Sequence, residues 1–383
     1  MSDTAEQKTP RPGDRVRLTI VDLAFGGEGV GRIDGFAVFV PFTIPGEVVD
    51  VEITEAKKSF GRGRLLAVLE AAVERTEPEC RYFGDCGGCQ YQHIEYPAQL
   101  RFKRKQIADL FERVGGFSGA VVNAVVPCPR PYYYRNRIMV RSQRDRETGR
   151  MKVGFLSQAS KRVVDVEACA ISEPFLNEQL QEVRANPPHK GGLKTVLRKM
   201  PDDWIVGRDS FFQNNFFLLP GLVASVRKCL QDAGARHLID AYCGVGFFSL
   251  ECADLVETFV GVELDQQAIK SARQNMANRG IQNGQFAKGF AEEYLPGLLM
   301  RHPGEHTTLI TDPPRTGCPK KSMDRIREKG PQQVIYVSCH PATLARDLKI
   351  MCEDGAYELV SVTPHDMFPQ TQHVECVADL RRA

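Results

Sequence analysis

A chain of 383 residues has room for roughly two or three domains. Its 42% hydrophobic and 26% charged residues are ordinary for a globular protein and exclude wholesale disorder, collagen-like repeats and coiled coils. No apolar run approaches the length of about eighteen residues that a membrane helix needs. The N-terminal residues show no apolar run after their charges, so we expect no secretory signal and a cytoplasmic protein.

Charge is distributed unevenly along the chain. Residues 101–162 contain fifteen Lys and Arg against four Asp and Glu, a formal charge of +11, whereas the whole chain carries +2. Positive charge concentrated in this way beside an acidic remainder suits a polyanionic partner such as a nucleic acid. The alternative is a solvated helix face followed by a charged hairpin, which charge alone slightly favours.

The first segment, residues 14–75, predicts a small β-barrel. Its short apolar runs are separated by glycines and by Pro45-Gly46, and we expect strands at Arg15–Asp22, Gly35–Pro41, Val48–Glu55 and Arg64–Glu70. Closed barrels of this size bind single-stranded nucleic acid, and a loop over Lys57–Arg64 combines an aromatic ring with cations. The segment resembles a TRAM domain, an OB-like RNA-binding module; from the residues alone, a generic barrel remains the alternative.

The middle segment, residues 76–205, is predicted to be an α+β domain. It begins with a cysteine cluster, continues with a helical pattern over Pro97–Val114 that ends at Gly115-Gly116, and then forms a hairpin through Gly154. From about residue 206, apolar strands alternate with helical segments, which predicts a doubly wound, mainly parallel α/β sheet. Its last two strands follow each other with little helix between them, so we expect an antiparallel pair at the sheet edge.

A glycine-rich turn in the third segment indicates a ligand site. The strand that ends at Asp240 is followed by Gly244 and Gly246, which let a ligand approach the backbone closely. Twenty-three residues after Asp240, Glu263 ends the next strand, where a carboxylate can accept hydrogen bonds from a ribose diol. Asp240 suits the cationic amino group of S-adenosylmethionine, although NAD, or a turn without a ligand, also fits the glycines.

Three further motifs lie at the ends of predicted strands. The rigid sequence Asp312-Pro313-Pro314 is followed by Arg315 rather than an aromatic residue, which disfavours methylation of a base amino group. Cys339 ends a strand just before a helix, so it is either an activated nucleophile or a small buried side chain. Glu375 is either a solvated strand end or a general base, and the residue pattern alone favours the solvated end.

Together these motifs resemble the RNA uracil-5-methyltransferase family across nearly the whole chain. The resemblance includes Phe211–Asn215, Tyr134–Arg137 and the complete ending Phe368–Glu375. It implies a class I methyltransferase domain that uses S-adenosylmethionine. One position departs from the family pattern, because His340 follows Cys339 where members usually carry Asn.

The resemblance also implies roles that the chemistry requires. Carbon 5 of uracil is a poor nucleophile, so the thiolate of Cys339 would add to carbon 6, and Glu375 would later remove the carbon-5 proton. A uracil in folded RNA must be flipped out to react, and Phe211 and Phe212 would form walls of the pocket. By the same resemblance, the cofactor site is lined by Gln213, Tyr242, Glu263 and Asp312.

Twelve cysteines in a protein expected in the reducing cytoplasm indicate metal binding, catalysis or buried thiols rather than disulfides. Five of them lie in the middle segment, and four of these suit zinc or a [4Fe–4S] cluster: Cys80, Cys86, Cys89 and Cys169. Their spacing resembles the cluster-bearing branch of the family, which favours iron–sulfur, and it is not the spacing of radical S-adenosylmethionine enzymes. Seven cysteines other than Cys339 are expected to be inert: Cys128, Cys229, Cys243, Cys252, Cys318, Cys352 and Cys376.

The predicted organisation is a disordered tail over residues 1–13, a TRAM or OB-like barrel over 14–75, a central iron–sulfur RNA-binding domain over 76–205 and a methyltransferase domain over 206–383. The resemblance implies that part of the middle region, such as the Pro97–Val114 helix, packs on the catalytic domain. We expect a monomer that methylates structured RNA, with 23S ribosomal RNA as the leading substrate and transfer RNA as the alternative. A non-catalytic RNA-binding protein with a degenerate methyltransferase fold is the competing hypothesis.

Overall fold

A computed structural model describes residues 10–117, 122–188, 191–302 and 305–383. These residues form two compact units; the first contains the chain up to Gln106, Ile138–Leu197 and Pro369–Gln372, and the second contains Ile107–Arg137, Arg198–Phe368 and His373–Ala383. Residues 1–9 of the predicted tail lie outside the described residues, and the division into three domains stays a prediction. Within the described ranges, no helix has both the length and the apolar character needed to cross a bilayer.

The N-terminal barrel is confirmed. Five strands close in the order β1-β2-β3-β5-β4. Buried side chains alternate along them and fill the barrel with Leu18, Ile20, Val38, Val40 and Val51. The strands are β1 (Arg15–Leu23), β2 (Glu28–Ile33), β3 (Phe36–Pro41), β4 (Val48–Ala56) and β5 (Phe60–Glu70).

Two details of the barrel differ from the prediction. The glycine-rich segment expected to separate strands is itself β2, because its glycines let neighbouring groups come close: a Cβ on Gly29 would lie 2.0 Å from Thr43 Oγ1. The loop expected over Lys57–Arg64 is also wrong in part, since β5 begins at Phe60. Arg62 there forms an ion pair with Glu28.

The rest of the first unit contains a four-stranded antiparallel sheet in the order β8-β7-β6-β9. Its core, which includes Ile138, Val153 and Leu197, is covered by Leu176 and Leu180 of a helix. The elements are β6 (Arg137–Arg144), β7 (Met151–Leu156), β8 (Val163–Asp165), α2 (Pro174–Ala185) and β9 (Lys194–Arg198).

The second unit is built on a seven-stranded sheet in the order β12-β11-β10-β13-β14-β16-β15. The first five strands are parallel, and β16 and β15 form the expected antiparallel pair at the edge. The strands are β10 (His237–Ala241), β11 (Thr258–Glu263), β12 (Gly284–Lys288), β13 (Thr307–Thr311), β14 (Gln333–Ser338), β15 (Tyr357–His365) and β16 (Glu375–Arg382). The fold class is therefore confirmed, although the short, polar strand β12 was missed.

Helices pack on this sheet and bury two clusters of apolar side chains. They are α3 (Leu219–Ala233), α4 (Phe247–Glu251), α5 (Gln266–Asn278), α6 (Ala291–Arg301), α7 (Lys320–Lys329) and α8 (Pro341–Cys352). Strands β13 and β14 are buried along their whole length, as expected for the centre of a parallel sheet. The carboxyl ends of β10, β11, β13 and β14 consequently share one edge, where such sheets bind ligands.

The helix predicted over Pro97–Val114 is also present. It comprises α1 (Tyr96–Leu110), followed by a π-helical turn over Phe111–Gly115 that ends at Gly116 with a φ of 71°. Ile107 and Phe111 belong to an apolar cluster of the second unit, together with Leu344 of α8. The C-terminal end of this helix therefore packs against the apolar cluster on one face of the seven-stranded sheet, as the resemblance implied.

Candidate active site and cysteine cluster

A cavity of about 620 Å³ opens at the shared edge of the parallel strands. Both residues expected to be catalytic and all four expected to hold the cofactor line it: Gln213, Tyr242, Glu263, Asp312, Cys339 and Glu375. Phe211 also lines the cavity and is 64% exposed, whereas Phe212 is buried in an aromatic cluster with Phe247. The structure thus brings together residues from six separate strand ends and loops.

The turn after β10 has a constrained backbone. Tyr242 has a φ of 64°, in the left-handed region that a residue with a Cβ rarely adopts, and Gly244 and Gly246 also have positive φ values. The Tyr242 hydroxyl donates a hydrogen bond to Glu292 Oε1 at 2.5 Å. Glu263 Oε2 accepts one from the Gly244 N–H at 3.1 Å, which links the ends of β10 and β11.

Asp240 does not line the cavity, contrary to the position suggested for it next to an amino group. It is 1% exposed, and its Oδ2 accepts hydrogen bonds from the N–H and hydroxyl of Ser249. Burial raises the pKa of Asp240 to about 7. Its contacts indicate that it fixes the start of α4 beneath the glycine turn.

The loop that carries Gln213 is held by two asparagines. Asn136 donates to the Gln213 carbonyl at 3.0 Å, and its own N–H donates to the Asn214 carbonyl. Asn215 is buried and donates to the Met367 carbonyl. The Tyr134–Arg137 motif therefore contributes to the site by positioning the backbone around Gln213.

The loop after β13 presents Asp312 and Arg315 to the cavity. Asp347 fixes it from below, because its Oδ2 accepts hydrogen bonds from the Cys318 N–H at 3.0 Å and from the Tyr336 hydroxyl at 2.6 Å. Gly317 is required at this point: its φ is 80°, and a Cβ there would lie 2.3 Å from Asp347 Oδ2. These contacts hold the backbone of the loop that presents Asp312 and Arg315 to the cavity.

Cys339 directly follows β14 and lies among groups with opposing effects on its charge. Burial, together with the carboxyl group of Glu375, raises the pKa of the Cys339 thiol to about 11. A hydrogen bond and the positive charge of Arg315 oppose this shift. Arg315 is thus a cation that favours the thiolate form of Cys339.

His340, the residue that departs from the family pattern, caps helix α8. Its Nδ1 accepts hydrogen bonds from the Thr343 N–H at 3.2 Å and from the Thr343 hydroxyl at 2.8 Å. An asparagine side chain commonly performs this N-cap function. His340 therefore caps the helix next to Cys339, as an asparagine at this position could.

Glu375 opens β16 and is 4% exposed, so the solvated strand end favoured by the residue pattern is wrong. Burial and the neighbouring charge of Asp312 raise the pKa of Glu375 well above its usual range, while Arg315 opposes the shift. Burial and Asp240 likewise raise the pKa of Asp312. Burial and the neighbouring carboxyl groups therefore both disfavour a negative charge in this site.

The four cysteines of the first unit are close enough to interact. Burial and, to a smaller extent, the charges of Cys169 and Cys80 raise the pKa of Cys86 to about 11, and a hydrogen bond from the Gly88 N–H opposes this shift. Burial and the neighbouring cysteines also raise the pKa of Cys89, and a hydrogen bond from Gln92 opposes that shift. Across the described part of the chain, however, no three His, Cys, Asp or Glu side chains are arranged ready to hold a metal ion.

The basic stretch over residues 101–162 is less uniform than its sequence suggests. Lys103 is 1% exposed and lies over the ring of Tyr91, so it contributes little charge to the surface. Arg162 forms an ion pair with Asp85. Exposed cations remain in and after the β6–β7 connection, including Arg146 and Arg150.

Comparison with known proteins decides the family. The sequence family described as tRNA (uracil-5-)-methyltransferase matches residues 193–383, and the TRAM domain family matches residues 11–66. An uncharacterized RNA methyltransferase of Halalkalibacterium halodurans is 31% identical, over 98% of this chain and 99% of the relative. One from Synechocystis is 30% identical, over 96% of each chain.

The chain belongs to the RNA uracil-5-methyltransferase family. It is an RNA (uracil-5-)-methyltransferase that depends on S-adenosylmethionine. The crystal structure of the Pyrococcus abyssi tRNA (uracil-54, C5)-methyltransferase in complex with S-adenosyl-L-homocysteine is similar, with a TM-score of 0.69 and 25% identity. That similarity covers 95% of this methyltransferase and 100% of the Pyrococcus chain.

Sequence reasoning missed three residues of the methyltransferase site. Arg315 was considered only because it is not aromatic, although its position two residues after the first proline of the motif indicated the same loop. Glu292, the partner of the Tyr242 hydroxyl, follows the missed strand β12 and belongs to no motif. The role of Asn136 in holding Gln213 depends on residues 77 positions apart and has no local pattern.

Replacing Arg315 tests the electrostatics around the nucleophile. In Arg315→Ala, we expect a higher pKa for Cys339 and alkylation of this thiol by iodoacetamide at pH 8 that is slower by about tenfold if the pKa rises by one. Peptide mass spectrometry measures the rate for each cysteine. Arg315→Lys should lie between the variant and the wild type, and the rate at Cys352, whose pKa depends on burial and Glu358, should not change. An unchanged rate at Cys339 would contradict this assignment.

Proposed function

We propose that this methyltransferase acts through a covalent bond between Cys339 and carbon 6 of a flipped uracil. The observation that supports this most strongly is the presence of Cys339, Arg315, Glu375 and Asp312 in one cavity. A nucleophile, a cation that favours its ionised form and a buried acidic group are what addition to uracil and later elimination require. A degenerate, non-catalytic site would have no need for this combination.

In the first step, the Cys339 sulfur donates an electron pair to carbon 6, and the carbon 5–carbon 6 π electrons move towards the carbon 4 oxygen as an enolate. Arg315 assists by favouring the thiolate. Bound S-adenosylmethionine supplies the methyl group that carbon 5 then accepts. In the last step, Glu375 in its carboxylate form takes the carbon-5 proton, the ring double bond re-forms, and the electron pair of the carbon 6–sulfur bond returns to Cys339.

We assign the cofactor site to Gln213, Tyr242, Glu263 and Asp312. Glu263 ends β11, where its carboxylate can accept hydrogen bonds from a ribose diol. Tyr242, whose hydroxyl is held by Glu292, and the Gly244 backbone form the adjoining wall. The remaining depth of the cavity near Phe211, Phe368 and Cys339 suits a planar base.

A uridine carrying fluorine at carbon 5 tests the mechanism, because fluorine cannot leave as a proton. We expect wild-type protein and 5-fluorouridine RNA to form an adduct that is stable in denaturing gels, and Cys339→Ala to form none. With ordinary RNA, Glu375→Gln should transfer the methyl group and then remain bound to its product. Cys352→Ala is the control. Methylation by Cys339→Ala would exclude the covalent mechanism.

For the substrate, we propose a uridine in 23S ribosomal RNA, in keeping with the resemblance to the cluster-bearing branch. The TRAM barrel and the exposed cations near Arg146 support binding of structured RNA. Transfer RNA is a second candidate because the similar Pyrococcus structure is of a tRNA methyltransferase. We take the protein to be a cytoplasmic monomer.

Mass spectrometry distinguishes the two RNAs. Deleting the gene should remove 5-methyluridine from one site in 23S ribosomal RNA, and the wild-type gene should restore it, whereas Cys339→Ala should not. Loss of 5-methyluridine from transfer RNA alone would instead support the second candidate. Unchanged modification in both RNAs would contradict the proposed substrate classes.

We further propose that Cys80, Cys86, Cys89 and Cys169 hold a [4Fe–4S] cluster that stabilises the first unit. Although no three of the described side chains are arranged to hold a metal ion, the four thiols lie near enough to affect one another's pKa, and Gly88 and Gln92 donate hydrogen bonds to two of the sulfurs. We expect the cluster to draw the four thiolates together and to compensate their charge. Zinc would fit the same donor set and is the alternative.

Metal analysis and absorption spectroscopy test the cluster. Anaerobically purified protein should be brown and contain about four irons per chain. Cys89→Ser should lose most of the iron and unfold at a lower temperature, whereas Cys229→Ser should keep the colour. One zinc per chain in colourless protein would favour the alternative.

A further inference from the structure

The connection between Phe368 and His373 contains a buried segment that belongs to the first unit. We call Pro369–Gln372 the strap. Within it, Gln370 and Thr371 are 2% and 1% exposed. The chain leaves the second unit after Phe368, which lines the active-site cavity, and re-enters it just before Glu375. The strap is therefore joined at both ends to residues of the site.

Gln99 of α1 holds the strap with a pair of hydrogen bonds. Its Nε2 donates to Gln370 Oε1 at 2.8 Å, and its Oε1 accepts from the Gln370 N–H at 3.2 Å. The same Nε2 lies 2.8 Å from the Ile94 carbonyl, and Gln99 is fully buried. Its orientation is thus fixed by several bonds made away from solvent.

A second set of bonds comes from the segment directly after Cys89. The N–H groups of Gln90 and Tyr91 both donate to the Gln370 carbonyl at 3.0 Å. Gln90 Oε1 also accepts from the Gln372 N–H at 3.2 Å. Gln370 is therefore bonded through its N–H, its carbonyl and its side chain.

This number of bonds is notable because Gln370 has an unfavourable backbone conformation. Its φ is 67°, in the left-handed region that residues with a Cβ seldom occupy. Such a conformation persists only where surrounding contacts hold it, and it concentrates near functional sites. If those contacts are lost, the residue relaxes and the chain on either side changes direction.

We infer that Gln99 and Gln370 are positioning residues for the general base Glu375. The strap fixes the course of the chain that enters β16, and Glu375 is the first residue of that strand. The inference rests on the proposed function, since it assigns Glu375 the removal of the carbon-5 proton. Proton transfer needs the carboxylate within hydrogen-bonding distance of that proton, so elimination is the step most sensitive to a small displacement.

The step that should slow is specific. The carbon 5–hydrogen bond breaks and gives its proton to the Glu375 carboxylate; its electrons form the carbon 5–carbon 6 double bond, and the carbon 6–sulfur bond releases its pair to Cys339. Addition of Cys339 and methyl transfer precede this step. A displaced base therefore leaves protein attached to RNA that is already methylated.

Single-turnover kinetics with the RNA substrate test this inference on the full-length protein. In Gln99→Ala, we expect elimination to slow on the order of 10- to 100-fold, so that methylated RNA accumulates in the covalent complex. The rate of adduct formation and the Kd for S-adenosylmethionine should stay within about twofold of wild type. Gln370→Ala removes one of the two bonds between Gln99 and Gln370 and should slow the same step, and the double variant should be no slower than Gln99→Ala, because the interactions that it loses are those already lost in Gln99→Ala.

Gln106→Ala is the matched control. Gln106 lies on the same helix, is 4% exposed and bonds the Leu23 and Ala24 carbonyls and the Tyr91 hydroxyl, none of which belongs to the strap. It should lower the melting temperature about as much as Gln99→Ala without accumulating the complex. If Gln99→Ala does not fold, Gln370→Ala provides the same measurement.

The outcomes separate this inference from the proposed function. Wild-type protein that forms no adduct with 5-fluorouridine RNA would overturn the covalent mechanism itself. A wild type that forms the adduct, combined with Gln99→Ala and Gln370→Ala variants that eliminate normally, would overturn only the positioning role. Equal accumulation in Gln106→Ala would also overturn it, because the effect would then follow general destabilisation.

Discussion

Three acidic side chains share one nearby positive charge in the cavity of this methyltransferase. Burial disfavours the charged forms of Cys339, Glu375 and Asp312, and Arg315 opposes this effect for Cys339 and Glu375. The negative charge of Glu375 raises the pKa of Cys339, and that of Asp312 raises the pKa of Glu375. Ionisation of one of these groups therefore disfavours ionisation of its neighbour, which suits the proposed nucleophile and base because they act in different steps.

This electrostatic balance requires the groups to stay in place, and buried polar contacts around the cavity provide that. Asp347 holds the backbone of the loop that carries Arg315, while His340 caps the helix beside Cys339. Asn136 holds the backbone at Gln213. Each of these side chains forms a hydrogen bond with a backbone group of a neighbouring loop or helix, so the side chains around the cavity project from a held backbone.

The first unit combines RNA-binding features with the strap. Some barrel cations are neutralised, as the Arg62–Glu28 pair shows, so our proposal assigns more of the attraction for phosphate to exposed arginines such as Arg146. The segment after Cys89 bonds the strap backbone at Gln370. The cysteine loop is therefore linked by these hydrogen bonds to Gln370, and the chain runs from Gln370 to Glu375 within five residues.

Sequence periodicity was sufficient for the fold class, the barrel and the antiparallel edge pair, whereas the family resemblance supplied the residues that the structure places around one cavity. Tyr242, Asp312 and Cys339 lie together there because the strand ends of a parallel sheet meet at one edge. Local pattern was not sufficient where distant segments meet. Local pattern favoured a solvated position for Glu375, which is buried, and included Lys103 in a basic surface although its side chain is buried over Tyr91. It also gave no sign of Glu292, the partner of the Tyr242 hydroxyl. Burial, pKa shifts and hydrogen bonds between distant residues, such as Gln99 with Gln370, depend on which segments pack together, and only the tertiary structure decides that.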